Sequence, residues 1–239
     1  MKLESGHRLW RWGFAALALV IVGGGLFWAS QSPLIAIQTI QVDGNNAVTT
    51  DQIMQRVGPM LEGRSLLSLS FSDVNQALGE FPFVASVDIE RSFPHTIKLH
   101  VHERRPLAWL EADRQALLLS ATGYVLKQQP APDAGYPVLT AKNPCTAGEG
   151  GQVSCGDVMN GVSFLADIPV SFTQEITAVS VSDGDINAKT KSNVNIHFGT
   201  LDDYDIKFEV LEQLIARSMA AGKTVSVDVS VPDRPVTKS

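Results

Sequence analysis

Cys145 and Cys155, with nine residues between them, lie in a proline- and glycine-rich stretch from 129 to 157, and they are the chain's two cysteines. Such a pair can close a disulfide or contribute to a metal site. No histidine and no third thiol lies near them, so a four-ligand zinc site lacks its other half. In an oxidising compartment the pair is expected to bond, and so short a loop gives at most about 2–3 kcal/mol. Of the five histidines, His7 precedes a long apolar run and His95 falls in a turn signal. His100 and His102 share one face of a strand and could pair on a metal; a solvated strand face explains them more simply. His197 has no companion. Asp202, Asp203 and Asp205 form an acidic cluster ahead of a helix, where acids suit the positive end of the helix dipole. Glu103 could act as a general acid, but no second carboxylate or nucleophile has a readable relation to it. No P-loop, GxGxxG, GxSxG, HExxH or CxxC occurs. The reading is therefore no catalytic residue, no metal and no cofactor. A membrane-anchored, extracytoplasmic cell-wall enzyme is the second reading, and it needs a pocket uniting His197 with the acids at 202–205.

The 239 residues are 44% hydrophobic and 18% charged, which suits one or two packed domains. Net charge is −6, unevenly placed. Three of the 19 basic residues and one of the 25 acidic ones fall in the first twelve positions, so the remainder carries −8. A negative body argues against nucleic acid, which calls for clustered Lys and Arg.

Residues 12–30 read WGFAALALVIVGGGLFWAS, 19 positions without a charge. As a helix they would cover about 28 Å, close to a bilayer's hydrocarbon thickness. Arg8 and Arg11 precede the run and no Lys or Arg follows until Arg56, so residues 1–11 are expected in the cytoplasm. Trp10, Trp12 and Trp28 bracket it as interfacial aromatics do. Phe27, Trp28 and Gln31 stand where a signal-peptide cleavage site needs small residues, so an uncleaved single-pass anchor is expected. A barrel translocator is not: about 130 residues with a long helix do not supply its strands.

Beyond Pro33, the run from Ile35 to Val42 suits a strand, and Gly44 falls in a turn cluster. A helix starts at Thr49 or Thr50 with capping-box spacing to Gln52, and Gly58-Pro59 should stop it. A second short helix starts at Ser72-Asp73 with Val74, Ala77 and Leu78 inward. Two strands follow around the turn at 92–95, the second with Ile97, Leu99 and Val101 inward. Residues 33–104 are thus expected to form a β-α-α-β-β domain, a sheet covered on one face by two helices. In 105–233, strands are expected at 107–110, 116–119, 124–126, 175–181 and 194–198. Helices are expected at 158–165 and 204–221, the latter with Phe208, Leu211, Leu214, Ile215 and Met219 on one face. Thr224–Val231 alternates strictly: Thr224, Ser226, Asp228 and Ser230 against Val225, Val227, Val229 and Val231. Pro232 ends it, leaving 234–239 as a short tail. Alternation alone leaves open whether this strand is an edge or is paired on both sides.

The order of elements and three motifs resemble the FtsQ/DivIB family of bacterial cell-division proteins. The motifs are VDGN at 42–45, FPFVASVDIERSFPHTIKLHVHERRPLA at 81–108, and LDDYDIKFEVLEQL with GKTVSVDVSVPDRPV from 201 to 236. Phe83 and Phe93 stand where that family often has Trp, and Ser120 where it tends to have Asp. The resemblance implies an α+β architecture: a transmembrane helix, a POTRA domain, then a mainly antiparallel β domain with a C-terminal amphipathic helix and a last strand. It implies a scaffold at the division septum in the plasma (inner) membrane. It assigns Gly44, Arg91, Pro94, Glu103, Arg104 and Pro106 to the POTRA domain and the junction after it. Partners would be FtsB-like and FtsL-like bitopic division proteins, and beyond them septal peptidoglycan synthases. Capture would be by strand addition along residues 224–231.

Overall fold

The computed structural model describes residue 20 and residues 35–238 apart from 170, 171, 173, 221–225 and 234. Most of the apolar run 12–30 lies outside that set. Among the described residues no helix is long and apolar enough to cross a membrane. Two compact units divide between Glu103 and Arg104.

In the first unit, β1 (Thr39–Asp43), α1 (Thr50–Leu61), α2 (Phe71–Gly79), β2 (Val84–Ser92) and β3 (Thr96–Glu103) follow the expected β-α-α-β-β order. The sheet order is β1-β3-β2, with β1 parallel to β3 and β2 antiparallel to it. Thr49 caps α1: its hydroxyl accepts the Gln52 N–H while the Gln52 side chain accepts the Thr49 N–H. Ile53, Val57 and Leu61 recur at helical spacing and are fully buried against Val74, Leu78, Ile97 and Leu99. The two-residue period of β3 points Ile97, Leu99 and Val101 into that core. Gly44 has φ +77°, and a Cβ there would lie 2.4 Å from the Val101 carbonyl oxygen, so the turn after β1 demands glycine.

Two expectations fail here. Gly58-Pro59 does not stop α1, which runs to Leu61. Pro59 and Gln55 are both exposed, so water can replace the hydrogen bond that proline forfeits. The first strand also starts later, at Thr39. Residues 35–38 bond instead to the 63–66 loop and to His95.

The second unit is one nine-stranded mixed sheet over a helical layer. Its strands are β4 (Pro106–Ala112), β5 (Gln115–Ser120), β6 (Val125–Gln129), β7 (Val138–Ala141), β8 (Ile176–Ser182), β9 (Asp185–Thr190), β10 (Asn195–Gly199), β11 (Ser226–Asp228) and β12 (Val236–Lys238). The order across the sheet is β12-β11-β10-β9-β8-β7-β4-β5-β6. β4–β7, β7–β8 and β10–β11 are parallel pairs. The inner face buries Leu110, Leu117, Leu139, Val179, Ile186, Ile196 and Phe198 under α3 (Gly156–Asp167) and α4 (Tyr204–Ala220). α3 lies close because position 161 is glycine: a Cβ there would sit 2.4 Å from Leu139 Cδ1. An aromatic cluster joins the layers, with Phe164–Phe198 at 5.0 Å and Phe172–Phe208 at 5.4 Å between ring centroids, both edge-to-face.

Three strands escape the sequence reading. β7 is four residues inside the proline-rich stretch. β9 (DINAKT) buries only Ile186, Ala188 and Thr190, a weak apolar signal. β12 is three residues inside the expected tail. The turn at 182–185 therefore closes the β8–β9 hairpin, with Asp183 and Gly184 at φ +53° and +85°. Asp157 at the start of α3 accepts both their N–H groups, and Lys142 reaches Asp183 at 2.6 Å. In the 120–124 turn, Ser120 Oγ accepts the N–H groups of Thr122 and Tyr124, so serine does there what an aspartate would.

Two predictions follow from these local geometries. The β4–β5 turn holds Asp113 and Arg114 at φ +50° and +65°. Left-handed backbone costs a side-chain-bearing residue about 1 kcal/mol, so Arg114→Gly should stabilise the second unit by about that much in urea denaturation. On the first sheet, His100 Nδ1 lies 2.5 Å from Asp43 and its Nε2 lies 3.6 Å from Glu90. The Asp43 hydrogen bond raises the His100 pKa above its ordinary 6.5, with Glu90 adding to it. A raised histidine pKa stabilises the fold below the unfolded value and the gain is lost as pH rises through the folded value. Asp43→Asn should therefore lower the His100 midpoint in an NMR titration and flatten the stability profile just above pH 6.5.

Candidate functional site

The expected site strand is not at the border of the sheet. Ser226–Asp228 pairs in parallel with Asn195–His197 on one side and antiparallel with Val236–Lys238 on the other. Val229 N–H continues the ladder to the His197 carbonyl at 2.9 Å, and the side chains of Val227 and Val229 are fully buried. Asp228 Oδ1 accepts the Ser230 N–H and hydroxyl, which ends the strand. Pro232 and Pro235 have no N–H to extend the strand, and the chain turns there and folds back as β12. The expectation of free backbone groups is thus corrected for Ser226–Asp228, which is paired on both sides: among the described residues the open border belongs to β12. Thr224 and Val225 lie outside the described residues.

Three large apolar side chains are exposed around this end of the sheet: Val231 and Val236 on either side of the turn, and Ile206 in the first turn of α4. Lys207, next to Ile206 in α4, is 3% exposed. Its ammonium donates to the Thr200 carbonyl at 2.9 Å and lies 5.5 Å from the Phe198 ring centroid. It ties α4 to the end of β10. A lysine on a helix reads as solvated, so the sequence carried no sign of this. Burial pushes the Tyr204 hydroxyl's pKa up, helped by Asp167 and Asp205.

The opposite border, β6, is covered. Val125 N–H donates to the Gly151 carbonyl, the Val125 carbonyl accepts the Gly150 N–H, and Gln128 N–H donates to the Glu149 carboxylate at 2.8 Å. The covering loop is held by the Cys145–Cys155 disulfide, whose Cα atoms are 5.8 Å apart.

The histidines and acids do not converge. His197 meets Asn187 at 2.9 Å and Asp185 at 3.4 Å, while Asp202 accepts from Thr200. The pocket uniting His197 with 202–205 is therefore not formed. His102 pairs with Asp88 at 2.9 Å. No cluster of three metal-ligating side chains occurs among the described residues.

Arg91 donates to the Leu69 carbonyl and lies 4.1 Å from the centre of the Phe71 ring. Pro94 follows a cis peptide in the exposed β2–β3 turn. Arg104 stacks 4.0 Å over Tyr124, and Pro106 opens β4. Glu103 is the last residue of β3, at the division between the two units. Its carboxylate accepts three successive N–H groups, from Asn46 at 3.0 Å, Ala47 at 2.8 Å and Val48 at 2.9 Å. That pins the end of β3 to the approach to α1. Glu103→Ala should destabilise the first unit by about 1–2 kcal/mol in denaturant unfolding, because charge-assisted hydrogen bonds are the stronger kind and the part-buried Val48 N–H is left bare, while water reaches the exposed Asn46 and Ala47 N–H groups.

Two family models match the chain: "POTRA domain, FtsQ-type" over residues 35–104 and "Cell division protein FtsQ/DivIB, C-terminal" over 108–230. Among relatives, the cell division protein FtsQ of Neisseria gonorrhoeae is 25% identical over 44% of this chain and 43% of its own length. DivIB of Brevibacillus brevis is 33% identical over 41% of this chain and 37% of its own length. These two matches therefore span under half of each relative. FtsQ of Streptomyces venezuelae is 22% identical over 92% of this chain and 80% of its own length. The extracytoplasmic domain of DivIB from Geobacillus stearothermophilus is 14% identical, with a TM-score of 0.30 over 39% of this chain and 76% of that one, too low to bear on the fold. With the C-terminal model alone taking in just over half of the residues, the chain belongs to the FtsQ/DivIB family of cell-division proteins.

Proposed function

We propose that this protein is a membrane-anchored scaffold of the division septum. Its C-terminal unit takes up an extended segment of an FtsB-like or FtsL-like bitopic division protein and so helps control septal peptidoglycan synthesis. The observation that carries this reading is the outer side of β12, at one end of a nine-stranded sheet, where no described strand pairs. Backbone groups along such a border bind any extended chain, which supplies affinity; flanking side chains supply selectivity. Val231, Val236 and Ile206 are the apolar contacts the site offers a partner. The covered border at β6 supports the same reading, since it leaves one direction for strand addition. The anchor rests on the uncharged run 12–30 with its preceding arginines. Membership in a cell-division family supports the setting.

The test is capture. A photo-crosslinker at position 236 in dividing cells should trap a small bitopic division protein. Thr237→Pro removes a backbone donor from β12 and should weaken binding of the purified FtsB-like–FtsL-like pair at least about tenfold. The first unit's hydrogen-exchange protection should stay unchanged. Full-strength binding by a folded Thr237→Pro variant would refute strand addition at this border.

A further inference from the structure

Among the described residues of 35–103, two large apolar side chains are exposed, both at the pole where the chain enters the domain. Leu67, in the loop between α1 and α2, is 53% exposed, and Phe93, in the β2–β3 turn, is 58% exposed. Their loops are bonded to one short segment. Leu66 N–H donates to the Ile35 carbonyl at 3.0 Å, and Ile37 N–H to the Arg64 carbonyl at 2.8 Å. Gln38 and Thr39 N–H groups donate to the His95 carbonyl at 2.9 and 3.2 Å. Because β1 runs parallel to β3 with Thr39 opposite Thr96, the β2–β3 turn lies at the entering end of the sheet, and Glu103 lies at the other.

Chain length limits what can face this pole. Four residues, 31–34, separate the uncharged run ending at Ser30 from Ile35. Even fully extended, that connection reaches no more than about 18 Å. The headgroup layer of one leaflet is about 5–8 Å thick. A unit tethered so closely has its entering pole at the lipid surface, and aromatic and aliphatic side chains there gain by entering the headgroup–acyl boundary. Exposed Arg64 and Glu62 offset one another, so apolar burial rather than headgroup charge carries the contact.

We infer that Leu67 and Phe93 insert into the bilayer interface and set the height and tilt of the first unit above the membrane. The inference rests on the anchor reading above. Both native cysteines are joined in a disulfide, so an introduced cysteine is the one free thiol for labelling. The full chain is reconstituted in phosphatidylethanolamine–phosphatidylglycerol vesicles with a bimane probe at Phe93→Cys. Leu67→Cys is an independent second site, Ser86→Cys a control towards the far end of the sheet, and Val20→Cys a control in the anchor. Doxyl-labelled lipid should quench the probes at 93 and 67 roughly twofold, as interfacial insertion requires, and leave position 86 unchanged. Aqueous iodide should quench position 86 several-fold more than 93 or 67. Quenching of 93 and 67 by iodide as strong as at 86 would overturn the inference. Protection of both from lipid and iodide alike would also overturn it, in favour of a protein cover. If position 20 also escapes the lipid quencher, the anchor reading fails and this inference with it. If 20 is quenched while 93 and 67 are not, the inference alone fails.

Discussion

An open β-sheet ends in two rows of backbone donors and acceptors, and each row must be bonded, covered or left for another chain. The nine-stranded sheet of the second unit treats its two ends differently. At β6 the loop around Glu149–Gly151 supplies carbonyl, N–H and carboxylate partners, and the disulfide closes that loop. At β12 no described strand follows. This asymmetry gives the surface a direction, and the proposed capture of a partner segment depends on it.

The open border is presented on a stiff base. β11 is ordered because Val227 and Val229 are buried and because it is laddered to β10 and β12 at once. α4 is held to the end of β10 by Phe208, Tyr204 and the buried Lys207. A border strand on a frayed base would lose conformational entropy each time it bound; one fixed in advance avoids most of that cost.

The first unit shows a similar economy. A glutamate with three backbone N–H partners and a glycine pressed against a carbonyl close the end of the sheet remote from the entering chain. At the entering end, the loops of Leu67 and Phe93 gather around the first described residues of the unit. Polar closure at one end and apolar exposure at the other give this small domain an axis.

Much of this was legible in the residues themselves. The periods of 3.6 in Ile53–Val57–Leu61 and of 2 in Ile97–Leu99–Val101 report local burial, and so did the Thr49–Gln52 cap, the cysteine pair and the family motifs. The rest was not local. Pro59 inside α1 depended on which side of the helix met water. The function of Glu103 depended on amides more than fifty residues away. β7, β9 and β12 are short or polar strands that exist because a neighbouring ladder receives them. The alternating valines of 225–231 announced a strand with one buried face. Whether that strand lay inside the sheet or on its border was decided only when residues 236–238 folded back to pair with it, because hydrogen-bond partnership between strands is a property of the assembled sheet and not of either segment alone.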